Sequence, residues 1–314
     1  MKRSIQVNFA AVLLMLFSVT LARAQSVNGN SAVIPIYQGG EDEFDPEERN
    51  GFSIGLTMGM YFANKKSAQF YNGACQNQLE DNIARCYDIA TRLTPIQNGG
   101  TLSSNAYNDI LDHYGASGGY LEFPRDMHPA NMRYRPSFMY GLQVKYNFNY
   151  TSGLVFALNV TNLKTVDVYT VNIVGASPEQ NEQNNIQVLD INGTEDRFHM
   201  TLGYRTGFET GPNANFFFEG GGTLLGTRVK SNEIFIAERS YELFIGIDNP
   251  NQAPQQYNPR TEVGIGFYGA MGWEMFFNDR YEVELGGRIS RDPVKMGTYE
   301  EALFSSQIYL TFSI

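Results

Sequence analysis

Most of this chain after residue 50 alternates large apolar residues with small or polar ones, the pattern of a β-strand with two different faces. In segment 51–62 every even position is Phe, Ile, Leu or Met, and the odd positions are Gly, Ser, Thr and Tyr. The outer face of a soluble sandwich is usually charged, so a face of glycines and hydroxyls fits a narrow barrel interior better. The segment therefore predicts a barrel strand.

Seven further segments repeat this alternation, so the chain predicts about eight strands. The connections between them alternate long and short: 63–137, 150–153, 164–196, 210–214, 229–261, 276–279 and 291–302. Short periplasmic turns and long extracellular loops are the rule for transmembrane barrels, and an even strand number places both termini in the periplasm. We therefore expect an all-β fold in residues 50–314, an eight-stranded antiparallel transmembrane β-barrel. The strand that begins at Leu154 can also be interpreted as continuing through Val166 to Val174.

The last strand, 303–314, has large apolar residues at most even positions from Phe304 onward. It is expected to pair with both 281–290 and 51–62. This pairing closes the sheet, so that no strand edge with unpaired backbone groups faces lipid.

The first connection, 63–137, is the longest predicted loop and carries two helix signals. Asn77 is a plausible N-cap for a helix that runs to Leu93, and a second helix is predicted between Ser104 and Gly115. Loops of this length usually have a function. Two interpretations stay open, a folded cap over the barrel mouth and an interface with another surface protein.

A metal site in that loop is not expected. Asp109, Asp112 and His113 carry suitable ligand atoms, but Ile110 and Leu111 lie between them and indicate an ordinary amphipathic helix.

Cys75 and Cys86 are the two cysteines of the chain. In an exported protein such a close pair favours one local disulfide. On a continuous helix their eleven-residue separation would span roughly 16 Å, beyond the ~7 Å between Cα atoms that a disulfide allows. A disulfide therefore requires a turn between them.

The N-terminal residues indicate export. Lys2 and Arg3 precede an apolar run, and Ala22-Arg23-Ala24 follows it, so residues 1–24 are predicted to be a cleaved signal peptide. Residues 25–49 are acidic and are predicted to form a periplasmic tail, either a solvated segment or a docking peptide for a basic partner.

Composition narrows the class of protein. The chain is 13% aromatic, contains 31 Gly and is only 18% charged, a mixture typical of strands and turns. After residue 25 no apolar run is long enough for a transmembrane helix, so any membrane crossing must use strands. The net charge of −10 argues against nucleic acid as a partner.

Charged residues fall at inward positions of the predicted strands. We expect them to form a salt-bridge network that fills the lumen, because unpaired buried charges are costly; a narrow ion path is the alternative. The predicted network comprises Lys145, Arg197, His199, Arg205, Glu219, Glu262, Glu274, Glu282, Glu284 and Arg288, with Glu209 as a further inward carboxylate.

Nucleophilic catalysis needs a Ser or similar group beside a base. The chain has 3 His residues, and no Ser lies at a recognisable spacing from His199. His199 is therefore interpreted as a structural lumen residue, and no catalytic residue, cofactor or metal is predicted.

The signal peptide, the strand-turn-strand rhythm and the final strand resemble the small outer-membrane β-barrel proteins of Gram-negative bacteria, the OmpA and OmpX-like class. The Ala24-Gln25 junction and the Tyr- and Asn-rich strands are similar to Bacteroidota members of that class. Such barrels commonly end in Phe, whereas this chain ends in Ile314. Tyr309, Phe312 and Ile314 are the candidate signal for the barrel-assembly machinery.

The resemblance implies an outer-membrane location in a Gram-negative bacterium. The expected role is non-enzymatic, as a structural or accessory subunit of a complex for protein export, barrel assembly or uptake; a narrow pore and a lipid-modifying enzyme are the alternatives. Expected partners are outer-membrane lipid, lipopolysaccharide, the barrel-assembly machinery and another outer-membrane or periplasmic protein.

Overall fold

The computed structural model describes residues 50–75, 84–124, 126–175, 185–211, 213–246, 255–256, 261–277, 281–297 and 299–314. The predicted signal peptide and acidic tail lie outside these described residues. Among the described residues, no helix has the length and apolar character needed to cross a membrane.

The described residues contain many strands and a few short helices. The strands are β1 (Gly51–Phe62), β2 (Ala84–Cys86), β3 (Tyr120–Glu122), β4 (Arg133–Tyr134), β5 (Ser137–Asn149), β6 (Ser152–Val174), β7 (Ile186–Gly211), β8 (Ala214–Ile236), β9 (Arg239–Glu242), β10 (Phe244–Gly246), β11 (Gln255–Gln256), β12 (Thr261–Phe276), β13 (Glu282–Met296) and β14 (Tyr299–Ser313). The helices are α1 (Lys65–Ala68), α2 (Ile89–Leu93) and α3 (Ser104–His113), with 3₁₀ turns at Gln69–Tyr71 and Ile96–Asn98.

Eight of these strands form a closed antiparallel ring in the order β1-β5-β6-β7-β8-β12-β13-β14, with β14 pairing back to β1. Phe312 of the last strand lies opposite Leu56 on one side and Val283 on the other. Backbone hydrogen bonds of 3.1 and 3.0 Å join Ile54 to Ile314, so the seam is paired to the final residue. The predicted eight-stranded antiparallel barrel is confirmed.

The ring has two different ends. At the turn end lie Ile314 and the tight connections β5–β6 and β7–β8. β6, β7 and β8 are 23, 26 and 23 residues long in total, and at the opposite end they continue past the other strands of the ring. A barrel strand needs only ~9–11 residues to cross a membrane. The outer halves of these strands therefore project beyond the membrane as a sheet, here called the strand extension.

The strand extension corrects two predicted loops, because much of 164–196 and the first part of 229–261 are strand. The reason is that apolar and polar residues exchange faces in this part of the strands. In the extension the inward face is apolar, with Tyr169, Ile191 and Ile234 fully buried, while polar residues occupy most outward positions. The predicted loop 291–302 is likewise mostly strand, since β13 and β14 pair as far as Met296 and Tyr299.

The segment after β1 folds against the inner face of the strand extension and forms what is here called the cap. Its helices contribute Leu93 and Ile110 to one hydrophobic core with Tyr169, Ile191 and Ile234. Burying a side chain of this size stabilises the fold by about 1.5–3 kcal/mol. Barrel and cap belong to one compact unit.

The first predicted cap helix is wrong as a continuous element, since Ala84–Cys86 is a strand that pairs with β10. The helix α2 begins only after Asp88, whose carboxylate accepts a hydrogen bond of 2.8 Å from the Thr91 backbone N–H. The long-range pairing with β10 is not visible in local helix signals. The second predicted helix is present as α3, with Ser103 as its N-cap.

Candidate functional site

A belt of apolar side chains covers the outside of the ring. On β1, β5, β12 and β14 most outward residues are large and apolar, and many are exposed, while their neighbours in sequence point inward. Outward members of the belt include Phe52, Leu56, Phe138, Tyr140, Leu154, Leu202, Tyr204, Phe218, Ile265, Phe267, Met271, Trp273, Leu285, Ile289, Phe304, Ile308 and Phe312. An exposed apolar surface this extensive is stable only in contact with lipid.

Inside the ring, near the turn end, charged side chains from five strands form what is here called the lumen cluster. Its members are Lys145, Arg205, Glu219, Glu274, Glu282, Glu284 and Arg288. All seven are buried. Because the barrel has eight strands, side chains of this size are enough to fill its interior.

Arg205 is the centre of the lumen cluster. Its guanidinium makes a two-pronged contact with Glu284, with N–O distances of 2.8 and 2.9 Å. It also donates to Glu219 at 2.6 and 3.1 Å and to Glu274 at 3.3 Å. The guanidinium carbon lies 3.9 Å from the centre of the Phe217 ring. Such charge-assisted, planar contacts are the strong class of hydrogen bond.

The other two cations complete the cluster. The Lys145 ammonium contacts Glu274 and Glu282, and Arg288 lies 3.3 Å from Glu219 while stacking over Tyr268. Carboxylate oxygens of Glu274, Glu282 and Glu284 lie within 4.8 Å of one another, a grouping that could hold a metal ion. Lys145 and Arg205 already supply two positive charges to these three carboxylates, so side chains compensate most of their negative charge.

A second buried network, here called the latch, joins the cap to the barrel wall. Arg197 donates to Glu195 at 2.6 Å and to the Tyr61 hydroxyl at 3.0 Å, both on barrel strands. It also donates to Ser67 at 3.1 Å and to the Tyr134 hydroxyl at 3.3 Å. Glu195 accepts from the hydroxyls of Tyr71 at 2.6 Å and of Tyr134 at 3.1 Å. The latch therefore connects the cap residues Ser67 and Tyr71 to three strands.

His199 lies inside the barrel, buried, with its ring 4.9 Å from the ring of Tyr61. Its Nε2 has no hydrogen-bond partner among the described residues. Its position is next to the latch and apart from the carboxylates of the lumen cluster.

Some predicted site residues lie elsewhere. Glu262 is at the rim, where its carboxylate accepts from the Gly297 N–H at 2.9 Å, and it does not join the lumen cluster. Glu209 is exposed near the turn end, since the strand has left the closed part of the ring there. Tyr309 points into the barrel against Arg288, whereas Phe312 and Ile314 point outward. The three candidate assembly-signal residues therefore do not share one face.

Cys75 and Cys86 form a disulfide within the cap, with 5.6 Å between their Cα atoms. The sequence interpretation missed several polar partners of the two networks. Those residues are Tyr61, Ser67, Tyr71, Tyr134, Gln143, Glu195 and Tyr268. Glu195 was hidden because its segment was predicted to be loop; the signal was its spacing of two residues from Arg197, which places both on one strand face.

The sequence matches no protein-family model and no curated protein. Among solved structures, Neisserial surface protein A is similar at 9% identity and a TM-score of 0.35, covering 84% of this chain and 97% of that one. Ail of Yersinia pestis has 8% identity and a TM-score of 0.33, covering 84% and 99%. OprG of Pseudomonas aeruginosa has 7% identity and a TM-score of 0.35, covering 86% and 98%. These likenesses are to the barrel fold alone.

The closed ring, its apolar belt and its polar interior have a direct physical meaning. Strands can cross a membrane only as a closed barrel, because every backbone group must be paired inside it. The protein has the fold of a small outer-membrane β-barrel. The narrower resemblance to Bacteroidota proteins stays a prediction.

Outside the membrane, Glu242 on β9 is a titratable group whose ionisation should change local stability. Its carboxylate is mostly buried and accepts from the backbone N–H groups of Asn232 at 2.8 Å and Phe244 at 3.0 Å. Burial raises the pKa of Glu242 to about 7, and the negative charge of Glu233 on the paired strand adds to the rise. The two N–H donors partly oppose it.

We expect residues 232–244, around Glu242, to be more stable at pH 5 than at pH 8. The pKa is higher in the folded state than its ordinary value of 4.5, so the contribution is complete below pH 4.5 and is lost as the pH rises through about 7. The difference should be on the order of 2 kcal/mol. Hydrogen exchange of residues 232–244, corrected for intrinsic rates, measures it.

Glu242→Gln keeps an acceptor for the two N–H groups and removes the titration. Protection in this variant should change little between pH 5 and pH 8. A pH dependence equal to that of the parent protein would show that another group is responsible.

Proposed function

We propose that this protein is a non-conducting, non-enzymatic outer-membrane barrel that serves as a structural or accessory subunit of an outer-membrane assembly, with both termini in the periplasm. The observation that supports the proposal is that the lumen is closed at both ends. The lumen cluster fills one end, and the latch holds the cap over the other. A barrel closed in this way acts through its outer surfaces.

A narrow pore is less well supported. An ion would have to displace Arg205 from three carboxylates and then pass the fully buried Arg197 and Glu195. Breaking a buried, hydrogen-bonded ion pair costs several kcal/mol. The lipid-modifying alternative would need a reactive group that opens toward the lipid, and the charged groups of the lumen cluster point inward.

The strand extension offers a surface for a partner protein. On its outward face Val168, Ile186 and Val188 are 43%, 57% and 63% exposed, although this part of the sheet lies beyond the belt. Tyr120 of β3, which is 55% exposed, extends this surface at the far end of β6, where it lies opposite Val174. A cluster of exposed apolar side chains in water indicates a protein contact. This surface is here called the extension patch.

Photo-crosslinking in native outer membranes tests the proposal. A photoreactive amino acid at Val188, inside the extension patch, should yield a discrete crosslinked protein product. The same group at Ile265, which is 76% exposed in the belt, is the matched control and should react with lipid. The proposal fails if Val188 captures no protein and the chain also elutes alone after mild detergent extraction.

A further inference from the structure

The outward side chains change abruptly where the belt ends. Val160 on β6 and Phe198 on β7 are a directly opposed apolar pair. The next outward-facing pair along these strands, toward the strand extension, is Asn162 and Asp196. On β8 the next outward residue, Arg228, lies opposite Asp196. On these strands the surface therefore changes from apolar to charged between one outward-facing residue and the next.

Five cations lie along this boundary on neighbouring strands and are here called the basic collar. They are Arg133, Arg135, Lys164, Arg228 and Lys230. The register places them together: Arg133 lies opposite Val166, and the Arg135 N–H donates to the Lys164 carbonyl at 3.0 Å. From β4 to β8 the collar spans three inter-strand spacings, roughly 14 Å at ~4.8 Å each.

Strand alternation fixes the direction of these side chains. Tyr134, between Arg133 and Arg135, points inward to the latch. Thr165, which follows Lys164, and Val229, between Arg228 and Lys230, are buried on the inner face. The five cations must therefore point outward, away from the barrel axis.

Charge in the collar is poorly balanced. Asp196 is the one acid that forms an ion pair with a collar cation among the described residues, with Lys230 at 2.7 Å. Asp196 also accepts from Asn162 at 2.9 Å. Within the described part of the chain the other four cations form no ion pair, and they lie on a surface that directly continues the lipid-facing belt.

We propose that the basic collar binds the phosphate groups of a phosphorylated glycolipid in the outer leaflet. Arginine and lysine recognise phosphate through charge-assisted hydrogen bonds, and their position just outside the hydrocarbon band matches the depth of a lipid headgroup. The site is distinct from the extension patch and goes beyond the proposed role as a subunit.

The belt beneath the collar suits the acyl part of the same lipid. On the outward face of β8, Gly220 and Gly222 are exposed, and a Cβ added at either would make only an ordinary contact with one backbone oxygen, at 3.7 or 4.0 Å. Leu202 and Phe267 flank Gly222 on the paired strands. A lipid whose acyl chain lies against Gly220 and Gly222 would have its headgroup at Arg228 and Lys230.

Binding of fluorescent bisphosphorylated lipid A to the full-length protein in nanodiscs tests the site. Arg228→Gln/Lys230→Gln should weaken binding by about tenfold to thirtyfold, since each cation near a charged lipid surface contributes about fivefold. Lipid A stripped of both phosphates should bind the parent protein no more tightly than intact lipid A binds the variant. Heat-modifiable gel mobility verifies that the variant is folded, and Arg228→Lys/Lys230→Arg should retain binding.

Arg291→Gln/Lys295→Gln is the matched control, because it also removes one Arg and one Lys from outward positions. Lys295 is paired with Glu300 at 2.9 Å, so this variant should bind within about twofold of the parent. Equal weakening in both double variants, or unchanged binding of dephosphorylated lipid A, would overturn the proposal. Complete displacement of lipid A by micromolar inorganic phosphate would also overturn it, because the site would then bind a free anion.

Discussion

Replacing Arg205 with methionine is expected to lower the free energy of unfolding by about 3–5 kcal/mol. Arg205 contacts Glu219, Glu274 and Glu284 inside the barrel, and none of these carboxylates can move to water without opening the ring. Removal of the guanidinium leaves negative charges facing one another in a low-dielectric interior. The aliphatic body of methionine fills part of the volume and supplies no charge.

Urea titration in lipid vesicles measures this change, with the single tryptophan, Trp273, as the probe of the belt. Arg291→Met is the matched control, since Arg291 is an exposed arginine on the outer face. Its effect should stay within about 0.5 kcal/mol. Equal effects of the two substitutions would mean that the lumen cluster does not stabilise the barrel.

Arg197→Met is expected to release the cap while leaving the ring closed. The substitution removes donors to Ser67, Tyr61 and Tyr134 and leaves Glu195 fully buried without a positive partner. Loss of one member of a buried ion pair costs about 3–5 kcal/mol. The cost falls on the cap contacts, because the pairing of β6, β7 and β8 does not depend on this side chain.

Hydrogen exchange measures the release of the cap. Protection of residues 65–71 should fall by two orders of magnitude or more, whereas β5 and β13 should stay protected. Lys66→Met is the control in the same cap segment, because the Lys66 side chain forms an exposed ion pair with Glu301 at 3.0 Å. If Arg197→Met leaves residues 65–71 as protected as in the parent, the latch does not hold the cap.

The sequence predicted the structure best where the physical environment determines which type of residue each position can hold. In β1 and β14 lipid on one side and a narrow lumen on the other impose a strict alternation, and both strands lie where the pattern predicts them. The disulfide of Cys75 with Cys86 was also predictable, because two cysteines this close together in a protein expected to be exported favour one local disulfide. The inward direction of Lys145, Arg205 and their partner carboxylates was predictable from the alternation of inward and outward positions alone.

Other parts depend on contacts between distant segments. Most of the strand extension was mistaken for loops, because its apolar face turns inward once the strands leave the membrane, as at Ile191. The continuation of β6 to Val174 was an open alternative, and it is confirmed. The cap helix before Ile89 was wrong because Ala84–Cys86 pairs with a strand about 160 residues later. The latch could not be assembled from sequence, since Tyr71 and Tyr134 meet Glu195 only in the folded cap.

The central claim is that the barrel is closed at both ends, and planar-bilayer recording of the purified full-length protein tests it most directly. The lumen cluster and the latch predict no steady conductance above that of the empty bilayer, at either voltage polarity. Reproducible ohmic channels from the parent protein, abolished when Arg205 or Glu219 is neutralised, would contradict the claim and indicate that ions pass through the lumen.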